Sequence, residues 1–227
     1  MEDKSRQQSE SFTLAILLAI VGGFLDAYTY CCRDQVFANA QTGNIVKVGI
    51  TLANGEYMKT VRYSIPILAF SVGVLMAMYM KERYNTKFHW RQAVLFVEAV
   101  IIVIVGFILM NEILNILANI MISFLCAMQA ESFRKVLGKP FSSTMCTGNL
   151  RSATEYFYHA VADKNDRLLI NMAHYVLIIM AFIAGAFIGV YITQAWLQHA
   201  VFFTLIPMLL SIYIMKNRIT GSQELML

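Results

Sequence analysis

A Thr-Gly-Asn tripeptide stands at residues 42–44 and again, 105 positions later, at residues 147–149. Gly43 and Gly148 permit a sharp backbone turn. Thr42 and Thr147 carry the hydroxyls typical of helix N-caps, and Asn44 and Asn149 place an amide beside each turn. Apolar stretches follow at roughly 44–53 and 149–162, so each tripeptide is expected to open a helix. A helix start offers unpaired N–H groups and a partial positive charge, chemistry suited to an anion or a carbonyl. Two such starts facing each other would make a pseudo-symmetric site for a small substrate, bound by Thr42, Gly43, Asn44, Thr147, Gly148 and Asn149. Two plain caps at a water interface would use the same residues, and the sequence leaves both readings open.

The match extends beyond the tripeptides. In the same ungapped register Asp26 meets Glu131, Lys59 meets Lys164, Arg62 meets Arg167 and Ile65 meets Ile170, the pattern of an internal duplication. Acids inside apolar runs are expensive and often mark ion or proton paths. Asp26 and Glu131, with Gln129 nearby, are therefore candidate coupling or polar site residues; helix-end acids reaching water or neighbouring bases are the alternative. Glu98 lies in an apolar run close to its basic end and is expected to reach an interfacial partner. Asn171, His174 and Gln129 fit interhelical hydrogen bonds. His89, His159 and His199 have no metal-ligand spacing, and Cys31, Cys32, Cys126 and Cys146 form neither a zinc nor a disulfide pattern. No metal, cofactor or catalytic residue is assigned. Without GxSxG, HExxH, Walker or dinucleotide fingerprints, enzyme readings are poor, as is an ATP-driven pump.

The elements that must position these residues follow from composition. The 227 residues are 58% hydrophobic and 14% charged, with mean hydropathy +0.59. Such a chain has too little polar surface to cover a soluble globule. This excludes a secreted disulfide scaffold, a nucleic-acid-binding domain and a disordered regulator. Six apolar runs are near membrane-spanning length: residues 11–30, 63–80, 92–110, 113–130, 168–192 and 197–215. The first is too long, and its leader at residues 1–10 too mixed in charge, for a cleavable signal peptide. Trp90, Trp196, Tyr30 and Tyr84 fall at run ends, as an aromatic belt would place them. Pro66 and Pro207 are expected to kink their spans. Two partly apolar segments, 36–53 and 141–162, hold the tripeptides and are expected to be short re-entrant or interfacial helices.

Six spans with both termini cytoplasmic put 14 of the 18 Lys and Arg residues inside, leaving Arg33, Lys47, Lys59 and Arg62 outside. The expected fold is an all-α polytopic membrane protein with two repeats, residues 1–111 and 112–227, each of three spans plus a Thr-Gly-Asn segment. An odd number of spans inverts the second repeat relative to the first, a recurrent plan in secondary transporters. Further along, Ala69, Gly73 and Ala77 match Ala181, Gly185 and Gly189 at an offset of 112, small residues suited to close helix contact.

The stretch Gly22-Gly23-Phe24-Leu25-Asp26-Ala27, with Phe37 and Gln41-Thr42-Gly43-Asn44, resembles the YoaK family of bacterial membrane proteins. Ala127-Met128-Gln129-Ala130-Glu131 and Thr144-Met145-Cys146-Thr147-Gly148-Asn149 are similar to that family's second motif. The chain departs at Ala130 and Glu131, where many relatives carry Asn and Ala, so the resemblance makes the Asp26–Glu131 pairing a subgroup trait. It implies a multi-pass protein of the bacterial inner membrane and little about chemistry. The expected function is a secondary transporter or channel for an unidentified small solute, bound between the two Thr-Gly-Asn helices near the midplane. The alternative is a non-transporting scaffold, a lipid-binding protein or an unrecognised membrane enzyme. Expected partners are membrane lipid and a small molecule or ion, with no nucleic acid and a homodimer left open.

Overall fold

The computed structural model describes residues 11–84, 90–142 and 145–223. The leader with Lys4 and Arg6, together with Lys87, His89 and Thr144, lies outside the described residues, as do the side chains of Tyr84, Lys216 and Arg218. The chain is all-α: α1 (Phe12–Cys32), α2 (Gln41–Ala53), α3 (Tyr57–Tyr84), α4 (Trp90–Phe107), α5 (Glu112–Ser132), α6 (Cys146–Ala162), α7 (Arg167–Trp196) and α8 (Leu205–Gln223). A two-residue antiparallel hairpin, β1 (Lys135–Val136) with β2 (Lys139–Pro140), joins α5 to α6. A 3-10 stretch, Leu197–Thr204, leads into α8.

Local chemistry sets several boundaries. Ser11 Oγ accepts the Leu14 N–H at 3.3 Å and Asn111 Oδ1 accepts the Leu114 N–H at 2.9 Å, side-chain caps that start α1 and α5. Gly55, at φ 72°, makes the turn between α2 and α3. Leu197, at φ 49°, ends α7. Among the described residues five stretches are long and apolar enough to cross a membrane: α1, α4, α5, most of α3, and a last one of 49 residues, Arg167–Met215, that covers both the fifth and sixth expected runs. The sixth run is a continuous helix only from Leu205. Pro207 is the third residue of α8, in the first turn, where its missing N–H breaks no helical bond, so it does not kink the helix as expected. Trp90 is buried beside Ala77, Val94 and Met128 rather than standing in an aromatic belt, while Trp196 and Tyr30 are exposed.

Packing follows a regular scheme. Helix α1 lies along α7 and α3 along α5; α2 rests on α3 and α6 on α7; α4 packs on α5 and α8 on α1, with α4 also meeting α8. Exchanging α1 with α5, α2 with α6, α3 with α7 and α4 with α8 leaves these pairings unchanged. The two longest contacts depend on missing side chains. A Cβ on Gly23 would stand 2.0 Å from the Phe182 carbonyl oxygen of α7, and one on Gly185 would stand 2.1 Å from that of Ile20 in α1. In the partner contact a Cβ on Gly73 would stand 2.4 Å from the Phe124 carbonyl oxygen of α5. This is the small-residue approach expected of Gly73, Gly185 and Gly189 in lipid, where helices gain by packing rather than by hydrophobic burial. The main core lies between α1, α4, α5, α8 and the 3-10 stretch, around Phe24, Tyr28, Ile102, Ile122 and Met208. Helices α3 and α7 keep apolar outer faces, including Leu68, Leu75, Ile183 and Phe187, all more than half exposed.

Forcing a side chain into a full contact typically costs about 1–3 kcal/mol, and more where backbone must move. Gly185→Ala and Gly73→Ala should therefore lower the thermal midpoint of the detergent-purified protein, read by size-exclusion after heating. Gly49→Ala, where no atom lies within 4 Å of the added Cβ, should leave it unchanged or raise it.

Candidate functional site

Beyond α1 the chain turns back on itself. Asp34 and Gln35, both at positive φ (63° and 55°), make the reversal. The Ala38 N–H then reaches Thr29 Oγ1 at 3.3 Å, and the Asn39 and Ala40 N–H groups reach Asp26 Oδ1 at 2.9 and 3.3 Å. Asp26 precedes the end of α1 by six residues, about 9 Å of helix. So the residues that lead into α2 lie along α1 rather than at its tip. Its N-cap position is Ala40, which has no side chain for the purpose, and the carboxylate of Asp26 caps it instead. Thr42 and Thr147 are not N-caps. Each is the second residue of its helix, is exposed, and follows a cap position (Ala40, Met145) that makes no side-chain capping bond.

The tripeptide asparagines do the same job twice. Asn44 Nδ2 donates to the Phe37 carbonyl at 2.6 Å while its Oδ1 accepts the Phe37 N–H at 3.3 Å. Asn149 Nδ2 donates to the Ser142 carbonyl at 2.7 Å while its Oδ1 accepts the Ser142 N–H at 3.4 Å. Both amides are buried, and each clamps the backbone of the residue seven positions earlier. The glycines differ. A Cβ on Gly43 would meet the Phe37 ring at 2.9 Å, whereas one on Gly148 meets nothing within 4 Å.

Near Asp26 the structure gathers polar groups that lack partners. The Asp26 carboxyl lies within electrostatic range of the Cys126 thiol on α5 and of Cys146, the first residue of α6. Cys126 is also within range of Glu98 on α4. Neighbourhoods of both short-helix starts thus share one carboxyl. Asn39 is buried with neither amide atom bonded. On α5 the buried residues Asn115, Asn119 and Ser123 follow one another at four-residue spacing, a polar stripe that leads down to Cys126. Asn119 Oδ1 and Ser123 Oγ on that stripe have no partner, nor does Glu98 Oε1. Groups buried in this way usually have a partner, and those without one need a reason.

Glu98 was expected near the end of its span with an interfacial partner. It is instead fully buried, the ninth residue of the 18 in α4, with Gln129 Nε2 at 3.5 Å from its Oε2. Gln129 is therefore the interhelical bonder expected. Glu131 makes an ion pair with Arg134 at 3.3 Å near the end of α5 and does not join Asp26. His174 packs against Phe12 with the rings tilted at 42° and their centroids 4.7 Å apart, and with Asn171 and Tyr175 it lines a separate small cavity. All four cysteines are free thiols.

One end of the polar stripe is closed by Arg33, a residue expected in an outer loop but fully buried. Its guanidinium donates to the carbonyls of Val105, Ile108 and Leu109 at 3.3, 2.8 and 3.2 Å, to Asn115 Oδ1 at 3.0 Å and to Tyr28 Oη at 2.9 Å. It thereby caps the C-terminal carbonyls of α4. The i, i+4 spacing of Asn115, Asn119 and Ser123 in an apolar run was the sequence signal for this stripe. Nothing local pointed to Asn39 or Arg33, whose roles depend on contacts far along the chain.

Residues 14–214 match the family described as "Protein of unknown function (DUF1275)". The chain belongs to that family. No curated protein and no solved structure matches it.

Removing a clamp deletes two hydrogen bonds to loop backbone, at about 0.5–1.5 kcal/mol for each. Asn44→Ala and Asn149→Ala should each lower the thermal midpoint clearly. Thr42→Ala and Thr147→Ala, at exposed side chains, should stay within about 0.5 kcal/mol of the parent by the same heating assay.

Proposed function

We propose, from the premise of that membership and of an all-α fold apolar enough to cross a membrane, that the protein forms a path for a small polar solute through the lipid. The path is a secondary transporter or channel of six spans, built as two inverted repeats at residues 1–111 and 112–227, in the bacterial inner membrane with both termini cytoplasmic. Several observations support this arrangement. The packing pairs survive exchange of the first four helices for the last four. The final 49-residue apolar stretch, broken at Leu197, is more than twice the roughly 20 residues that one crossing needs. Helix α2 starts about two turns back along α1 from its end, the geometry of a re-entrant segment, and irregular backbone at that depth is tolerated where it is buried in protein or lines a wet cavity.

The observation that carries the reading is the group of buried, unpartnered polar atoms on Asn39, in the loop ahead of α2, on Asn119 and Ser123 of α5 and on Glu98 of α4. A chain selected only for stability would pair these atoms or replace them with apolar groups, because each unpaired one costs about 1–3 kcal/mol. Hydrogen-bonding groups held ready along a column suit a solute that exchanges its water for them. In this site the Asn44 and Asn149 amides shape the two loops, and the solute meets Asn39 and the opening turns of α2 and α6, around Thr42, Gly43, Thr147 and Gly148. Asp26, committed to the α2 backbone, sets the position of that turn. Glu131, paired with Arg134, belongs to the surface of the second repeat.

One observation favours a second reading, a non-transporting scaffold: both tripeptide asparagines spend their amides on their own loops. The two readings part on solute movement. Purified protein in liposomes should speed the relaxation of light scattering in gradients of at least one solute from a panel of urea, glycerol and small amino acids. Asn39→Leu and Gly148→Leu, the latter reaching into open space, should each abolish the gain while the protein still elutes as a folded peak. Relaxation no faster than in protein-free liposomes, or undiminished flux in both variants, overturns the transport reading. Thr42→Cys and Thr147→Cys, in a chain otherwise free of cysteine, should react with an impermeant maleimide from opposite sides. Labelling of both from one side overturns the inverted arrangement.

A further inference from the structure

We propose that Glu98 takes up and releases a proton within the membrane, and that solute movement is tied to that proton; the second half of this rests on the transport reading above. Glu98 has eight residues of α4 before it and nine after it, roughly 12–14 Å of helix on either side. In a hydrocarbon core about 30 Å thick that depth is near the middle. An ionisable residue there is a functional candidate by default.

Its surroundings are specific. Oε2 lies 3.5 Å from Gln129 Nε2, and Oε1 is buried with no partner. Among the described residues no Lys, Arg or His forms an ion pair with Glu98. Among the described side chains, the elements packed on α4 bring few other charged or titratable groups near Glu98; Tyr213 of α8 is exposed. Helix α5 contributes Cys126, and beyond that thiol lies Asp26 of α1. The 3-10 stretch contributes His199, held on the Gly106 carbonyl two turns away, and α8 contributes the hydroxyl of Ser211, which donates to the Pro207 carbonyl. Arg91, on α4 itself, is turned to the Ser132 carbonyl at the opposite end of the helix from Gly106. The charged residues of α3 stand at its two ends: Lys59 on Glu56 and Arg62 on Asp34 and Glu112 at one, and Lys81, Glu82 and Arg83, all exposed, at the other.

A glutamine is the informative neighbour. A lysine or arginine would fix the carboxyl in one charge state. The Gln129 amide can donate to a carboxylate through its N–H or accept from a carboxylic acid through its oxygen, so the pair can stay bonded in both states. The step balances simply. An O–H bond forms at Oε1 as one O–H bond of a hydronium ion breaks, leaving water, and release to a water molecule on the other side reverses it. The other two acids considered for coupling are otherwise engaged, Asp26 on two backbone N–H groups and Glu131 on Arg134.

The first test needs no solute. Infrared difference spectra of the lipid-reconstituted protein after pH steps should contain a carboxylic-acid C=O band that Glu98→Gln removes and Asp26→Asn and Glu131→Gln keep. Gln129→Leu, which leaves Glu98 in place, should shift that band, and it serves as the second variant should Glu98→Gln not fold. A band that persists in Glu98→Gln, or one that Gln129→Leu leaves unmoved, overturns the assignment. The second test uses whichever solute of the swelling panel is moved. Its flux in the parent should change with external pH by up to about tenfold per unit, as a one-proton step allows. Flux in Glu98→Gln should be flat across the same range. Flux that keeps the parental pH dependence in Glu98→Gln overturns the coupling while leaving transport standing. Absence of any flux in the parent removes the transport reading, and the infrared result still decides whether Glu98 carries a proton.

Discussion

An N–H group in an apolar interior has to find an acceptor, and those of Asn39 and Ala40 find the carboxylate of Asp26. Much of the site depends on that contact. It holds the chain against α1 for two turns after the helix has ended, and so fixes where α2 starts and how deep it starts. It satisfies groups that a helix start leaves bare, and it places a negative charge at the positive end of a helix dipole. With the acid committed in this way, the Asn39 side chain next to it is left buried and unbonded, and the polar stripe on α5 meets the same loop through Asn119, which donates to the Arg33 carbonyl at 2.8 Å.

The two halves share a construction while differing in its details. Asn44 on Phe37 and Asn149 on Ser142 are the same pair of hydrogen bonds at positions 105 apart, and each fixes the loop ahead of a short helix. Gly73 against Phe124 and Gly185 against Ile20 are the same close approach between long helices. The capping differs. Asp26 reaches the loop backbone, whereas Glu131, in the corresponding position, turns to Arg134 in a chain that inserts a hairpin before α6. Shared clamps with unshared charges are what a duplicated scaffold would keep and vary if the clamps serve the fold and the charges serve the path.

Features of the site that are local in sequence were legible there, and those that are long-range were not. The tripeptides announced two short helices, and the helices begin at Gln41 and Cys146, within one residue of them. Small residues four apart announced close helix contacts, and those contacts form. The threonines were misread as caps because the acceptor that caps α2 sits 13 and 14 positions earlier in the chain. Arg33 looked like an ordinary loop charge because the carbonyls it holds lie 72 to 76 residues away. Glu98 looked interfacial because its run was read as starting at residue 92. The helix starts at Trp90 and ends at Phe107, which moves the acid to the centre, and its burial comes from tertiary packing that no local pattern records.

The contrast between Arg33 and Glu98 bears on what the interior is for. A fully buried guanidinium is the harder of the two to accommodate, yet it is surrounded by carbonyl, amide and phenol oxygens and contributes to the fold by closing the end of α4. The same core therefore satisfies its most demanding group thoroughly. It leaves weaker ones without a hydrogen bond: carboxyl oxygens of Asp34 and Glu98, the hydroxyls of Ser123, Ser132 and Thr193, and three amide atoms, two of them on Asn39 and one on Asn119. Five of these eight atoms are on Asn39, Glu98, Asn119 and Ser123, in the loop ahead of α2 and on α4 and α5; the others are on Asp34, Ser132 and Thr193. A half-satisfied polar network is worse for stability than an apolar core. The largest share of it falls on Asn39, Glu98, Asn119 and Ser123, and in the transport reading proposed above those atoms are kept for a partner that comes and goes.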